Sequence, residues 1–92
     1  MADISTKFED LTAEQQIQIV DFMKKNFIPT KGINQKYSAY GLKQSFTRKY
    51  FYLTQEQFTQ AMERAGFNVQ PLNNGNACFN ISARSPYFTH FE

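Results

Sequence analysis

Positively charged side chains are concentrated in one part of the sequence. Residues 24–49 contain no acidic residue and seven basic ones: Lys24, Lys25, Lys31, Lys36, Lys43, Arg48 and Lys49. Four tyrosines lie within or just after this segment: Tyr37, Tyr40, Tyr50 and Tyr52. Because cations follow a phosphate backbone and aromatic rings stack on unpaired bases, this combination is typical of surfaces that bind single-stranded nucleic acid. The alternative is a solvated surface with dispersed lysines, in which the tyrosines belong to the core.

The rest of the chain balances this charge. The net charge is only +2, because residues 1–23 are acidic and residues 50–92 are close to neutral. A basic segment within a nearly neutral chain indicates a local patch for a polyanion.

The sequence has few residues that could perform catalysis or bind a metal. Cys78 and His90 are its only cysteine and histidine, whereas a zinc site needs about four ligands. No glycine-rich phosphate-binding loop follows a predicted strand. We therefore expect no enzyme activity, no cofactor and no metal site. Cys78 is interpreted as a small filler residue on the outer face of a hairpin or at its edge, and His90 as a solvated residue of the tail.

Signals for export or membrane insertion are not recognisable. No stretch approaches about 18 consecutive apolar residues, and the N-terminal MADISTKFED lacks the apolar region of a signal peptide. A single cysteine excludes an internal disulfide. Together these features predict a cytoplasmic protein.

The start and end of the first helix can be predicted from local patterns. Thr12 and Gln15 match a capping box, which predicts a helix over about 12–26 that ends before Pro29. Ile17, Val20, Met23 and Phe27 recur at helical spacing, and the alternative stripe of Ile19, Phe22 and Met23 also faces the core.

A loop and a second helix follow. Residues 28–37 are predicted as a loop with a short strand near Ile33. Ser38 is predicted to cap a helix over about 38–49. In the aromatic turn after it, either Phe51 or Leu53 should point inward, and one of Tyr50 and Tyr52 outward.

The third helix has the clearest pattern. Thr54 and Gln57 repeat the capping box of the first helix, and residues 54–65 form the predicted helix. Gly66 is the expected left-handed residue that ends it. The buried stripe is predicted to be Phe58, Ala61, Met62 and Ala65.

After Gly66 the apolar period changes from helical to alternating, which predicts a β-hairpin over 67–82. Asn74-Gly75 is the turn signal, and Pro71 places the first strand at a sheet edge. The outer face of the hairpin would offer polar side chains to phosphates: Asn68, Gln70, Asn80 and Ser82, followed by Arg84.

This order of elements predicts an α+β fold, a winged helix-turn-helix with three helices and a C-terminal β-hairpin wing. Residues 1–10 are expected to be a flexible N-terminus, 11–84 the winged-helix domain, and 85–92 an aromatic C-terminal tail. The tail aromatics either fold back over the core or dock on a partner protein: Tyr87, Phe88 and Phe91.

Three stretches carry a resemblance to a known family. They are YSAYGLKQSF, YLTQEQFTQAMERAGFNVQP and NACFNIS, which together cover about residues 37–83. This segment resembles small winged-helix proteins of Gram-positive phages and staphylococcal cassette chromosome elements, which are found among replication genes. The resemblance implies an accessory role in the DNA replication of a mobile genetic element, with single-stranded DNA as ligand and a replication helicase or primase-polymerase as partner.

The outer face of the third helix gives a mixed signal. Gln60 and Arg64 have side chains that can pair with bases or phosphates, but Glu56 and Glu63 would repel a duplex. Single-stranded DNA is therefore the leading ligand; the alternatives are a sequence-specific duplex regulator and a protein-interaction module. The candidate DNA-binding residues are Lys31, Lys36, Tyr37, Lys43, Arg48, Lys49, Tyr50, Tyr52, Gln60, Arg64 and Arg84.

Overall fold

Three α-helices and a three-stranded antiparallel sheet make up the α+β architecture of the described residues. The computed structural model describes residues 7–91, without the side chains of residues 74, 90 and 91. In chain order the elements are a 3-10 turn Phe8–Asp10, α1 Ala13–Asn26, β1 Pro29–Ser38, α2 Ala39–Lys49, α3 Gln55–Arg64, β2 Val69–Pro71, a 3-10 turn Asn73–Gly75, β3 Ala77–Ile81 and a π-helical turn Tyr87–Phe91. Within this range no helix is both long and apolar enough to cross a membrane. The expectations for residues 1–6, and for the side chains of His90 and Phe91, lie outside the described residues.

Capping residues fix two of the helix starts as the sequence predicts. At α1 the Thr12 hydroxyl accepts from the Gln15 backbone N–H at 3.0 Å, and the Gln15 side chain accepts from the Thr12 N–H at 3.1 Å. Thr54 and Gln57 make the same two bonds at α3. The predicted Ser38 cap of α2 is wrong, because the Ser38 side chain makes no capping hydrogen bond. An asparagine from the hairpin takes its place, as described below.

The end of α3 is also confirmed. Gly66 has a φ of +97°, a conformation that costs little for glycine and more for other residues. Its N–H donates to the Glu63 carbonyl and the Phe67 N–H donates to the Met62 carbonyl, both at 3.0 Å. These two bonds satisfy carbonyls that have no partner within the helix. The chain therefore turns sharply from α3 towards β2, with Phe67 buried.

The sheet has the strand order β1-β3-β2, with both pairs antiparallel. β2 therefore lies at an edge, as Pro71 predicted. β1 is longer than the sequence indicated, since Pro29–Ser38 forms a strand where a loop with a short strand was expected. Its pairing with β3 is irregular, and its residues outnumber the partners opposite them. These bulges break the apolar alternation by which a strand is recognised in a sequence.

The central position of β3 corrects two predictions about the hairpin. All five of its residues are buried, so Cys78 and Asn80 do not lie on an outer face. The Asn80 side chain accepts from the Asn68 N–H at 2.7 Å and donates to the Thr30 carbonyl at 2.9 Å. Asn80 thus joins β1 to the chain entering β2, and its amide is not available to phosphates. The prediction assumed a two-stranded hairpin with one solvated face, whereas β3 is the central strand of three and is buried along its whole length.

Both ends of the described chain pack on the domain. Phe8, in the segment expected to be flexible, is 1% exposed. Tyr87, in the segment expected to be a tail, is also 1% exposed. Its ring stacks on Phe27 with centroids 4.7 Å apart, and its hydroxyl donates to the Leu42 carbonyl at 2.6 Å. The C-terminal turn therefore folds back over the core.

The buried face of α1 follows the alternative stripe of the sequence analysis. Ile19, Phe22 and Met23 are buried, whereas Ile17 is 71% exposed. The four predicted apolar residues of α3 pack on the same core, with Ala65 partly buried. The interior is rich in aromatic rings at edge-to-face or stacked distances, a contact favoured by the ring quadrupole.

Candidate nucleic-acid interface

Charges are divided between two sets of elements. The acidic residues of the described range all belong to the N-terminal turn, α1 and α3: Glu9, Asp10, Glu14, Asp21, Glu56 and Glu63. β1, α2 and the turn after β3 contain only basic residues among their charged ones: Lys31, Lys36, Lys43, Arg48, Lys49 and Arg84. The charged residues of β1 and α2 are therefore all positive, whereas α1 and α3 contain both signs of charge.

Tyr40, Lys43 and Tyr52 form a group on the flank of α2, here called the Tyr40 cluster, in which both tyrosines are exposed and Lys43 is half-buried. The Lys43 Nζ lies 5.7 Å from the centroid of the Tyr40 ring and 5.0 Å from that of Tyr52. The rings are 55% and 60% exposed. Lys43 has no carboxylate partner among the described residues, so its charge remains available. The cluster thus presents one cation between two aromatic rings at the surface.

Hydrogen bonds fix Tyr40 at the start of α2. The Tyr40 N–H, which has no partner within the helix, donates to the Asn76 Oδ1 at 2.9 Å. The same oxygen accepts from the Ala77 N–H at 2.9 Å, so the Asn76 side chain bridges the hairpin and the helix. A Cβ atom at Gly75 would lie 3.4 Å from the Gln55 Nε2, which shows that the hairpin turn also borders the start of α3.

Tyr52 is held beside Lys43 by the chain that follows α2. The Leu53 N–H donates to the Thr47 hydroxyl at 3.3 Å, which turns this segment back along the helix. Leu53 is buried, as one of the two sequence alternatives required. Tyr52 is 60% exposed, as the expected outward tyrosine, and Tyr50 is also half exposed. Phe51 is partly buried and packs edge-on against Phe46, with centroids 5.1 Å apart.

A second aromatic pair lies at the end of β1. Tyr37 stacks on Phe88 with centroids 4.2 Å apart and an interplanar angle of 28°. The Lys36 Nζ lies 5.6 Å from the Tyr37 centroid. Tyr37 is half-buried, because Phe88 from the C-terminal turn supports one side of it. We refer to Tyr37, Phe88 and Lys36 as the Tyr37 stack.

The other candidate residues of this region lie at the end of α2: Arg48, Lys49 and Tyr50. Arg48 is exposed, and its guanidinium donates to the Ser45 hydroxyl at 3.4 Å. Lys49 occupies the last turn of α2. The Tyr50 ring packs on Phe46, with centroids 4.9 Å apart, and on the α1 side of the core. Tyr50 therefore belongs partly to the core and faces away from the Tyr40 cluster.

Lys31 and Arg84 lie at the other end of the sheet. Pro29 is opposite Ile81, whereas Ser38 is opposite Cys78 next to the hairpin turn. Lys31 follows Pro29 in β1, and Arg84 follows Ile81 at the end of β3. Both residues are exposed. They extend the basic character of the sheet but do not join the Tyr40 cluster.

The N-terminal turn contacts one side of α3, whereas Glu56, Glu63 and Arg64 remain exposed. The Gln60 side chain accepts from the Phe8 N–H at 2.6 Å, and the Gln57 side chain donates to the Lys7 carbonyl at 3.1 Å. The Arg64 guanidinium lies 4.5 Å from the Phe8 ring centroid and 2.9 Å from the Glu9 carboxylate. Gln60 and Arg64, predicted to contact DNA, are thus engaged within the domain.

A groove of about 400 Å³ lies between α1 and the N-terminal turn. Its lining residues are Phe8, Gln16, Ile17, Val20, Asp21, Lys24 and Arg64. Asp21 pairs with Lys25 at 3.1 Å and Arg64 with Glu9, so most of its charges are matched by neighbours. In residues 7–91, no group of cysteine, histidine and carboxylate side chains has a geometry suited to a metal ion.

Cys78 is the one thiol of the chain and lies inside the sheet. Burial raises its pKa, because the thiolate would lose its hydration. The neutral thiol is a poor nucleophile. Cys78 is therefore a packing residue of β3 and not a reactive group.

Two supporting residues are absent from the predicted set of DNA-binding residues. Asn76 follows the Asn74-Gly75 turn, and no local pattern indicates its bond to Tyr40, 36 positions away. Tyr40 was one of the four tyrosines that either stack on bases or belong to the core, and its spacing of three from Lys43 on a helix brings the two side chains together. Comparisons of the chain with protein-family models, with curated proteins and with solved structures found no match.

Proposed function

We propose that this domain is a winged helix that binds single-stranded DNA through the Tyr40 cluster and the basic residues of β1 and α2. The observation that carries the proposal is the position of Lys43 between two exposed rings, 5.7 and 5.0 Å from their centroids. A lysine can pair with a phosphate while the rings stack on the neighbouring bases, each stacked base contributing about 1–3 kcal/mol. The proposal excludes enzyme activity and requires no cofactor.

The topology supports the winged-helix part of the proposal. A helix precedes β1, two helices lie between β1 and β2, and the β2–β3 hairpin pairs with β1 through its second strand. In a winged helix this arrangement makes α3 the recognition helix and the hairpin the wing.

Two features of α3 favour single-stranded over duplex DNA. The N-terminal turn occupies the side of the helix that holds Gln57, Gln60 and Arg64. Glu56 and Glu63 are exposed on the remainder, where they would face the phosphates of a major groove. A duplex regulator would need this helix uncovered and less acidic.

The biological setting rests on the family resemblance of residues 37–83. It supports an accessory role in the replication of a mobile genetic element in the cytoplasm, with a replication helicase or primase-polymerase acting on the same strand.

A fluorescence-polarisation titration tests the proposed ligand. We expect tighter binding to a labelled single strand than to a duplex of the same sequence, and a decrease of the logarithm of affinity with salt of about 0.7 per phosphate contacted. A variant with Lys43, Arg48 and Lys49 changed to Gln should lose most of this binding. Equal or tighter binding to duplex would refute the single-strand proposal.

A further inference from the structure

The C-terminal turn positions a second aromatic surface next to the Tyr40 cluster. Tyr37 and Tyr40 are three residues apart, so their Cα atoms are separated by at most about 11 Å. Stacked nucleotides rise about 3.4 Å each along one strand, so a segment of about three nucleotides spans this distance. In both groups a lysine ammonium also lies within 6 Å of the centroid of a tyrosine ring, 5.6 Å at Tyr37 and 5.7 Å at Tyr40.

Phe88 gives the Tyr37 ring a fixed orientation. It stacks on Tyr37 at 4.2 Å and is itself held edge-on by Phe27 at 6.2 Å and Tyr87 at 5.2 Å. Tyr87 is anchored by its hydroxyl bond to the Leu42 carbonyl of α2. Because one side of Tyr37 is supported by this row of rings, the ring is already ordered before a base stacks on it, and less entropy is lost on binding.

We propose that the Tyr37 stack is a second base-stacking subsite, so that one strand of unpaired DNA runs from the Tyr40 cluster to the end of β1. This inference rests on the proposed function and deepens it. It assigns Phe88 and the C-terminal turn to the binding site, as supports of the Tyr37 ring. Lys36 binds the phosphate at this subsite, as Lys43 does at the Tyr40 cluster. The ligand is a run of several unpaired nucleotides and not a single flipped base.

Paired substitutions at Tyr37 test the subsite on an eight-nucleotide oligothymidylate. We expect Tyr37→Leu to weaken binding by about fivefold to a hundredfold, the effect of losing one stacked base. Tyr37→Phe keeps the ring and should bind within about twofold of the wild type. Circular dichroism melting of each variant separates a loss of stacking from a loss of folding.

The exposed Lys36 provides a measurement that does not disturb the core. Lys36→Gln should reduce the salt slope of binding by about 0.7, whereas Lys24→Gln, which removes the same charge from α1, should leave the slope unchanged. If Tyr37→Leu and Lys36→Gln both bind like the wild type while Lys43→Gln is weakened, the second subsite is overturned and the proposed function stands. If the wild type binds no single strand, the proposed function itself fails.

Discussion

Lys43 is the central residue of the candidate surface, because its positive charge lies beside two tyrosine rings. Its ammonium is near two electron-rich ring faces in the free protein, and such contacts contribute about 0.5–1 kcal/mol at exposed sites. This interaction holds the side chain close to the rings at little cost to its later pairing with a phosphate. A strand that binds here therefore meets a cation that is already positioned.

Neutralising Lys43 should weaken binding to single-stranded DNA and make it less sensitive to salt. We expect Lys43→Gln to reduce the slope of log affinity against log salt by about 0.7, because one phosphate contact is lost. Circular dichroism should show an unchanged fold, since the Lys43 side chain makes no ion pair among the described residues. A slope equal to that of the wild type would exclude Lys43 from the phosphate contacts.

Cys78 should be protected from alkylation in the folded protein. Its pKa is raised by burial, so the thiolate is disfavoured in the native state, and we expect iodoacetamide at pH 8 to modify the native protein far more slowly than the urea-unfolded chain. The folded state binds the thiol proton more tightly than the unfolded state does. The contribution of this proton to the free energy of unfolding is therefore complete at lower pH and is lost as the pH rises above about 8.5, the ordinary thiol pKa. Cys78→Ala should lack this alkaline loss. Equal alkylation rates in the two states would place the thiol at the surface.

At the scale of elements, α3 and its two ends show what local sequence determines. The capping box and the left-handed glycine act over three or four residues, and both were predictable from residue types alone. The covering of α3 by the N-terminal turn depends on the Phe8–Gln60 hydrogen bond, between residues 52 positions apart. No periodicity encodes such a contact, so the sequence did not show that the N-terminal turn occupies one side of this helix.

Strand β1 shows why an irregular strand is not recognised from its sequence pattern. Its bulged pairing with β3 hides the alternation of buried and exposed residues. Without β1, the Asn80 amide has no partner in Thr30 and was assigned to a solvated face of the hairpin. The missed strand therefore accounts for the correction at Asn80, whose amide donates to the Thr30 carbonyl of β1.

Two glycine substitutions should change stability in opposite directions. Gly66→Ala places a side chain at a φ of +97° and should lower the free energy of unfolding by about 1 kcal/mol. Gly41 lies within α2, where an added Cβ would meet no atom within 4 Å, so Gly41→Ala should raise that energy by up to about 1 kcal/mol. Urea unfolding measures both. If Gly66→Ala is as stable as the wild type, the left-handed end of α3 is not present in solution.

At the scale of the whole molecule, the sequence identified the basic segment but not how its seven bases are divided between α1 and the elements β1 and α2. Lys24 and Lys25 close the acidic helix α1, and Lys25 pairs with Asp21. The remaining five bases of the segment lie on β1 and α2. The charge pattern could be predicted from composition, whereas the separation of Lys31 and Arg84 from the Tyr40 cluster depends on the direction and register of β1, which only the fold supplies.

The most direct test of the central claim is a map of backbone amide chemical shifts during titration with an unlabelled single strand. We expect the largest changes at the end of β1, the start of α2 and the segment 50–53, with the exposed part of α3 and the groove beside Ile17 nearly unchanged. Changes concentrated on α3 or beside Ile17, with the Tyr40 cluster unaffected, would contradict the assignment of β1 and α2 as the surface that receives the strand.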